Sequence, residues 1–87
     1  MAKIISVEAT ESGWVIIKDS HRCDPVSVCP EGIFYLVSCL NACRNPDTRK
    51  RFYNRLHTVK SPETKYFMML AIDNASNADT LIRELTS

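Results

Sequence analysis

The chain has 87 residues, of which 45% are hydrophobic and 24% are charged, with a formal net charge of +1. This length allows one small globular domain, and the apolar content with a near-zero net charge excludes an intrinsically disordered chain. The longest segment without a charged residue, 32–43, is shorter than the roughly 20 residues that a membrane-spanning helix needs. No apolar leader and no lipidation motif is visible, so we expect a soluble, cytoplasmic protein without a membrane partner.

Two β-rich stretches open the chain and predict a hairpin. Residues 3–9 alternate between apolar and polar side chains, and residues 14–18 are largely β-branched and apolar. The polar segment 10–13, which ends in a glycine, suits the turn between them. Residues 19–29 show no helical period, so a loop is predicted there.

The first helix is predicted to begin near Pro30, because proline lacks the N–H that would have no partner in the first helical turn. Glu31 complements the positive end of the helix dipole. The apolar side chains that follow cover most of the helix circumference: Ile33, Phe34, Leu36, Val37, Leu40 and Cys43. A helix that is apolar nearly all round is typical of a central, buried core element.

Two further helix starts share one pattern, a capping residue followed by proline and an acid. Residues 45–47 (Asn-Pro-Asp) predict the second helix, and residues 61–63 (Ser-Pro-Glu) predict the third. The second helix carries one apolar stripe, formed by Phe52, Leu56 and Val59. The apolar run 66–72 fits a buried strand or a buried helix, and the start signal before it favours the helix. A last helix is predicted over residues 77–85.

These elements predict a single α+β domain over residues 1–87, with an N-terminal β-hairpin packed against three or four helices. The alternative is a third strand at 66–72, which gives the order ββααβα. If residues 63–87 form one helix, six positions alternate at spacings of four and three: Phe67, Ala71, Asn74, Ala78, Leu81 and Leu85. Such a seam is typical either of a homodimer with a coiled-coil-like contact or of the core stripe of a monomer.

Positive charge is concentrated in residues 44–65, which hold seven basic and two acidic residues, whereas residues 1–43 and 66–87 each carry a net charge of −2. The candidate binding residues of this segment are Arg44, Arg49, Lys50, Arg51, Tyr53, Arg55, His57 and Lys60. Clustered Lys and Arg bind nucleic acid phosphates, and Tyr53 and His57 can stack on a base. On a helical wheel, however, the charges surround the apolar stripe. Two other interpretations stay open: an acidic protein partner, or a solvated helix whose arginines pair with acids elsewhere in the fold.

The candidate metal ligands are four cysteines and two histidines, namely Cys23, Cys29, Cys39, Cys43, His21 and His57. A structural zinc site needs four ligands, usually from closely spaced pairs, and Cys23 and Cys29 are too far apart for a standard pair. Disulfides between 23 and 43 and between 29 and 39 are a second possibility. Since no secretion signal is visible, we expect free thiols, with Cys39 and Cys43 as small buried core residues.

The chain contains no motif for a phosphate-binding loop, a nucleophilic serine, a zinc protease or a dinucleotide site. Cys–His pairs such as Cys23 with His57 or Cys29 with His21 are weak candidates for catalysis, because any chain with these residues offers such pairs. We therefore expect a non-enzymatic protein without a cofactor, which acts through protein–protein contacts with a partner or as a homodimer. The alternatives are a nucleic-acid-binding protein that uses residues 44–65, and a small module stabilised by zinc or disulfides.

Overall fold

The computed structural model describes all residues, 1–87, as a three-stranded antiparallel β-sheet followed by four α-helices. The strands are β1 (Ile4–Ala9), β2 (Val15–Asp19) and β3 (Val26–Val28). The helices are α1 (Pro30–Ala42), α2 (Pro46–Arg55), α3 (Pro62–Asp73) and α4 (Ala78–Thr86), and short 3-10 turns cover Leu56–Thr58 and Ala75–Asn77. None of the helices is long and apolar enough to span a bilayer. The predicted α+β fold, with an N-terminal hairpin packed on helices, is confirmed.

β1 and β2 form the predicted hairpin, with Ala9 opposite Val15 next to the turn. Thr10 closes this turn, because its amide donates to the carbonyl of Trp14 over 3.0 Å and its hydroxyl donates to the same oxygen over 2.8 Å. Gly13 has a φ of +86°, in the left-handed region that glycine adopts without steric cost. The turn therefore fixes the pairing register, which decides which side chains of β2 reach the core.

The loop prediction for residues 19–29 is wrong in its last part, because residues 26–28 form β3 and pair with β2. Val28 lies opposite Val15 and is buried. The Val-Ser-Val alternation fits a strand, but a strand this short gains its stability from the neighbouring strand and from the core beneath it. β3 is one of the two outer strands of the sheet, with β1 at the other side, and no strand pairs with its second edge.

The helix start signals are confirmed at all three positions. α1 begins at Pro30, the Asn45 side chain accepts hydrogen bonds from two amides at the start of α2, and the Ser61 hydroxyl accepts one at the start of α3. Residues 66–72 are helical, as the start signal favours, and the third strand of the sheet lies at 26–28 instead. The predicted last helix is α4, whose buried residues are Ala78, Leu81 and Leu85.

Two helices differ from what their apolar residues predict. α1 has only one buried face, formed by Gly32, Ile33, Leu36, Cys39 and Leu40, and the predicted burial nearly all round is wrong. α3 and α4 pack on that face, whereas Phe34 is 76% exposed and Tyr35 is also exposed. α2 ends at Arg55, so Leu56 and Val59 of the predicted stripe lie beyond it, in the 3-10 turn and directly after it.

After α2 the chain forms two separate helices, α3 and α4, because residues 74–77 interrupt the helical segment. The six positions of the predicted seam are all buried inside the monomer, with exposed fractions of 0–7%. At the break, the side-chain Nδ2 of Asn74 donates to the carbonyls of Ala2 (2.9 Å) and Leu70 (2.8 Å). Its side-chain oxygen accepts a hydrogen bond from the amide of Ile4 (2.9 Å). The seam is therefore the core stripe of the monomer, and Asn74 fastens β1 to the end of α3.

Candidate functional site

A cleft of about 280 Å³ lies between β3 and the first turns of α3. One wall is β3 itself, and the other wall is formed by residues of the segment 62–67 in α3. The remaining lining residues are Trp14, which precedes β2, Arg22 in the loop before β3, and Cys29 directly after β3. Because the lining comes from separate parts of the chain, the cleft is a product of the tertiary fold.

The cleft runs along the edge of β3 rather than over one face of the sheet. Successive side chains of a strand point to opposite faces, yet all three residues of Val26–Val28 line the cleft. β3 has β2 on one side only, and the other side of an outer strand presents main-chain N–H and C=O groups without partners. The cleft therefore offers hydrogen-bonding backbone and apolar side chains in the same space.

The floor of the cleft is apolar and closely packed. Val28 and Phe67 are each 3% exposed, and Gly32 of α1 lies behind them. A Cβ atom at Gly32 would lie 2.7 Å from Cγ1 of Val28 and 3.1 Å from Cζ of Phe67. Glycine at this position therefore lets α1 approach β3 and α3 closely enough to close the floor.

Asp19, at the end of β2, is a carboxylate with only 2% of its surface exposed. Its oxygens accept hydrogen bonds from the amides of His21 (2.8 Å) and Arg22 (3.0 Å), and from the hydroxyl of Tyr66. Burial alone would raise the pKa of Asp19, but these hydrogen bonds and the positive charge of Arg22 together lower it below its ordinary value. The carboxylate therefore stays ionised at neutral pH and holds the loop before β3 against α3.

Arg22 and Glu63 are the charged residues of the cleft lining, and Tyr66 lies beside Arg22. Burial raises the pKa of Tyr66, and the hydrogen bond and negative charge of Asp19 raise it further, so the hydroxyl remains a donor. The Cζ atom of Arg22 lies 5.5 Å from the centre of the Tyr66 ring, a distance at which a cation is attracted to the ring face. The one ion pair of the chain joins Arg44 and Asp79. The exposed guanidinium of Arg22 therefore has no carboxylate in ion-pair contact.

The predicted basic residues lie on α2 and on the segments next to it. Arg44 forms the ion pair with Asp79, and Nε of Arg49 donates to the carbonyl of Cys43 over 3.0 Å. The remaining candidates are exposed and form no ion pair: Lys50, Arg51, Tyr53, Arg55, His57 and Lys60. The interpretation that these arginines pair with acids elsewhere in the fold therefore holds for Arg44 alone.

The four cysteines are free and lie at different depths. Cys39 and Cys43 are buried in the core, as predicted, whereas Cys29 is half-buried and lines the cleft, and Cys23 is exposed. Burial raises the pKa of Cys39, and it raises the pKa of Cys43 to about 11. Both thiols therefore stay protonated at neutral pH. No three side chains of His, Cys, Asp or Glu lie close enough together to hold a metal ion.

A second apolar groove, of about 330 Å³, lies between α1, the hairpin turn and the end of α4. Ile33, Val37 and Leu85 line it, and the exposed ring of Phe34 stands beside them. The groove shares no lining residue with the cleft along β3, and none of its lining side chains is charged. It provides apolar contact area without a group that would select a particular ligand.

Comparisons of the chain with protein-family models, with characterised proteins and with solved structures gave no match. The cleft and the basic surface of α2 therefore carry the functional interpretation. Asp19, Arg22 and Tyr66 were not among the residues predicted from sequence, since Asp19 and Tyr66 meet across 47 positions of the chain. The one local signal of the cleft is the Val-Ser-Val alternation of β3.

Proposed function

We propose that this protein is a non-enzymatic binding module that takes an extended segment of a partner protein as an added strand along β3. The observation that carries the proposal is the cleft between the unpaired edge of β3 and α3, where backbone and apolar side chains border the same space. Extended peptides bind to sheet edges because main-chain hydrogen bonds supply affinity and the neighbouring side-chain pockets supply specificity.

The side chains around the cleft define the chemistry of the bound segment. An apolar side chain of the peptide enters the cleft, where Val28 and Phe67 form the floor and Trp14 borders it. Arg22, whose guanidinium forms no ion pair within the protein, pairs with an acidic group of the peptide, because a guanidinium binds a carboxylate through charge-assisted hydrogen bonds. The preferred ligand is therefore a short extended peptide with an apolar and an acidic residue.

The two buried cysteines are unsuited to nucleophilic catalysis. A nucleophilic thiol needs a lowered pKa and access to solvent, whereas Cys39 and Cys43 are buried and have raised pKa values. Four free thiols also suit the reducing cytoplasm in which we expect the protein to act.

Peptides selected from a random library against the immobilised protein provide the probes for a test by nuclear magnetic resonance. The amide signals of residues 26–28 are expected to shift, and their hydrogen exchange to slow, because the added strand pairs with that edge. Arg22→Ala is expected to weaken binding roughly tenfold or more, since hydrogen bonds to charged groups contribute about 1.5–3 kcal/mol. Trp14→Ala is expected to weaken the same peptides by removing apolar contact.

Arg83→Ala and Phe34→Ala are the matched controls. Each removes an exposed side chain of similar kind that does not border the cleft, so both variants are expected to bind the peptides as the unmodified protein does. Signal shifts confined to α2, or to the groove beside Phe34, would refute binding along β3.

A second copy of the chain is the other possible occupant, since two β3 edges related by a two-fold axis can pair with each other. Light scattering over a range of protein concentrations separates the two cases. A dimer that dissociates when the selected peptide is added would identify the edge as a homodimer interface. A monomer at every concentration, with peptide bound, supports a separate partner protein.

A further inference from the structure

α2 is the most exposed helix of the fold. None of its residues is buried, and it borders neither the cleft along β3 nor the groove beside Phe34. Packing against the core therefore does not explain which side chains occupy the outer surface of α2.

Tyr53 lies at the centre of this outer surface with 67% of its surface exposed. Arg49 and Lys50 lie four and three positions before it on α2, and His57 lies four positions after it in the 3-10 turn. Residues at these spacings are neighbours on a helix surface. We call the surface formed by Arg49, Lys50, Tyr53 and His57 the α2 face. It places an exposed aromatic ring among three basic side chains.

The basic side chains of the α2 face form no ion pair within the protein, and the one acid of the helix, Asp47, lies in its first turn. Arg44 and Asp79 form the one ion pair of the chain. The Nε of Arg49 is bound to the carbonyl of Cys43, which fixes the side chain and leaves its two terminal nitrogens as donors. Binding of an anionic ligand would supply the missing charge partners.

We propose that the α2 face binds single-stranded nucleic acid, with phosphates at Arg49 and Lys50 and a base stacked on Tyr53. Clustered cations gain affinity for phosphates by releasing counterions, and an exposed ring stacks on bases that are free of pairing. An acidic peptide would match the charges but would leave the exposed ring among them without a role. The proposal is independent of peptide binding along β3, because no residue of α2 lines that cleft.

Fluorescence anisotropy with oligothymidylate and oligouridylate of about 12 nucleotides, within the usual site size of such proteins, tests this proposal. The logarithm of the affinity is expected to fall linearly with the logarithm of salt concentration, by about 0.7 per neutralised phosphate. Tyr53→Ala is expected to weaken binding about tenfold without changing this slope, whereas Tyr53→Phe keeps the ring and the affinity. Oligodeoxyuridylate, which differs from oligouridylate only in lacking the 2′-hydroxyl groups, then identifies DNA or RNA as the preferred ligand.

Lys50→Glu is expected to weaken binding and to flatten the salt dependence, because a phosphate contact is lost and a repulsion is added. Lys18→Glu is the matched control, since Lys18 is an exposed lysine on the sheet, and it should bind more tightly than Lys50→Glu. Equal weakening by both variants would overturn the proposal, as would full affinity in Tyr53→Ala. Displacement of both probes by polyglutamate at equal charge would also overturn it and would indicate an acidic protein partner.

Discussion

Buried Asp19 and half-buried Tyr66 form a polar pair that joins the end of β2 to α3. No buried side-chain nitrogen or oxygen of the protein is without a hydrogen-bond partner, so the Tyr66 hydroxyl is one of the groups that make burial of the carboxylate tolerable. If the hydroxyl is removed, the charge of Asp19 stays buried and one of its donors is lost. The loss of a partner to a buried ion costs more than the loss of an exposed hydrogen bond.

Tyr66→Phe is therefore expected to lower the free energy of unfolding by about 1–3 kcal/mol at neutral pH. Because the pKa of Asp19 is lowered in the folded state, its contribution is present above the unfolded-state pKa of about 3.9 and is lost as pH falls through the folded-state value. The difference in the free energy of unfolding between Tyr66→Phe and the unmodified protein is therefore expected to become smaller in acid. Urea denaturation at neutral pH and below about pH 3 measures both effects.

Tyr53→Phe is the control for this experiment, because the Tyr53 hydroxyl is exposed and takes part in no hydrogen bond of the fold. Its effect on stability is expected to stay within about 0.5 kcal/mol. If Tyr66→Phe were as stable as Tyr53→Phe, the bond between Tyr66 and Asp19 would contribute nothing to the fold.

At the scale of the elements, the first turn of α1 packs so closely against the cleft floor that no space is left for an added side-chain atom at Gly32. Gly32→Ala improves the intrinsic helix propensity of α1 by about 1 kcal/mol, but the added methyl group meets Val28 and Phe67 at distances that real structures avoid. Overpacking of a core contact costs about 1–3 kcal/mol. Gly32→Ala is therefore expected to lower the melting temperature in thermal denaturation, despite the better helix former.

Ser38→Ala is the matched control within the same helix. Ser38 is exposed, and its hydroxyl bonds the carbonyl of Phe34 one turn earlier, an interaction that adds little to helix stability. Its replacement is expected to leave the melting temperature equal or slightly higher. A higher melting temperature in Gly32→Ala as well would show that the cleft floor yields easily to the added methyl group.

The helix starts could be predicted from sequence because their signals act locally. Asn45 bonds amides two and three residues further on, and Ser61 bonds one three residues further on. β3 could not be predicted in the same way, because its pairing partner belongs to another segment and an alternation of only three residues is too short to indicate a strand. The exposure of Phe34 also escaped prediction, since sequence does not reveal that the other helices cover one side of α1 only.

The two proposed binding surfaces differ in how far the sequence indicates them. Residue counts alone identified the basic segment, but only the fold decides which acids come near: Asp79 reaches Arg44 across 35 positions of the chain. The cleft along β3 has only one local signal in the sequence, the Val-Ser-Val alternation of β3. Its lining meets only after the hairpin, the loop containing Arg22 and α3 have packed together.

At the scale of the whole molecule, the four cysteines differ in their exposure to solvent, so their reactivity measures how completely the domain is folded. Under native conditions an alkylating reagent is expected to modify Cys23 first and Cys29 more slowly, whereas Cys39 and Cys43 react only when the chain unfolds. Mass spectrometry of peptides with and without urea measures the order of modification.

Because the pKa of Cys43 is raised to about 11 in the folded state, the free energy of unfolding is expected to decline as pH rises above the unfolded-state thiol pKa of about 8.5.

Rapid native modification of Cys39 or Cys43 would contradict a cooperative core around them. A Cys23→Ser variant serves as the control, since Cys23 is exposed and its removal should leave the protection of the two buried thiols unchanged.

Asn74 joins the amide of Ile4 and the carbonyl of Ala2 to the end of α3, across as many as 72 positions of the chain. Contacts between distant residues form late, because the intervening chain must first lose the entropy of an open loop. During translation, β1 is therefore made long before Asn74, and the hydrogen bonds that join Ala2 and Ile4 to Asn74 are absent until Asn74 has also emerged from the ribosome. The domain is completed in this late step, and shorter nascent chains are incomplete domains that chaperones can bind.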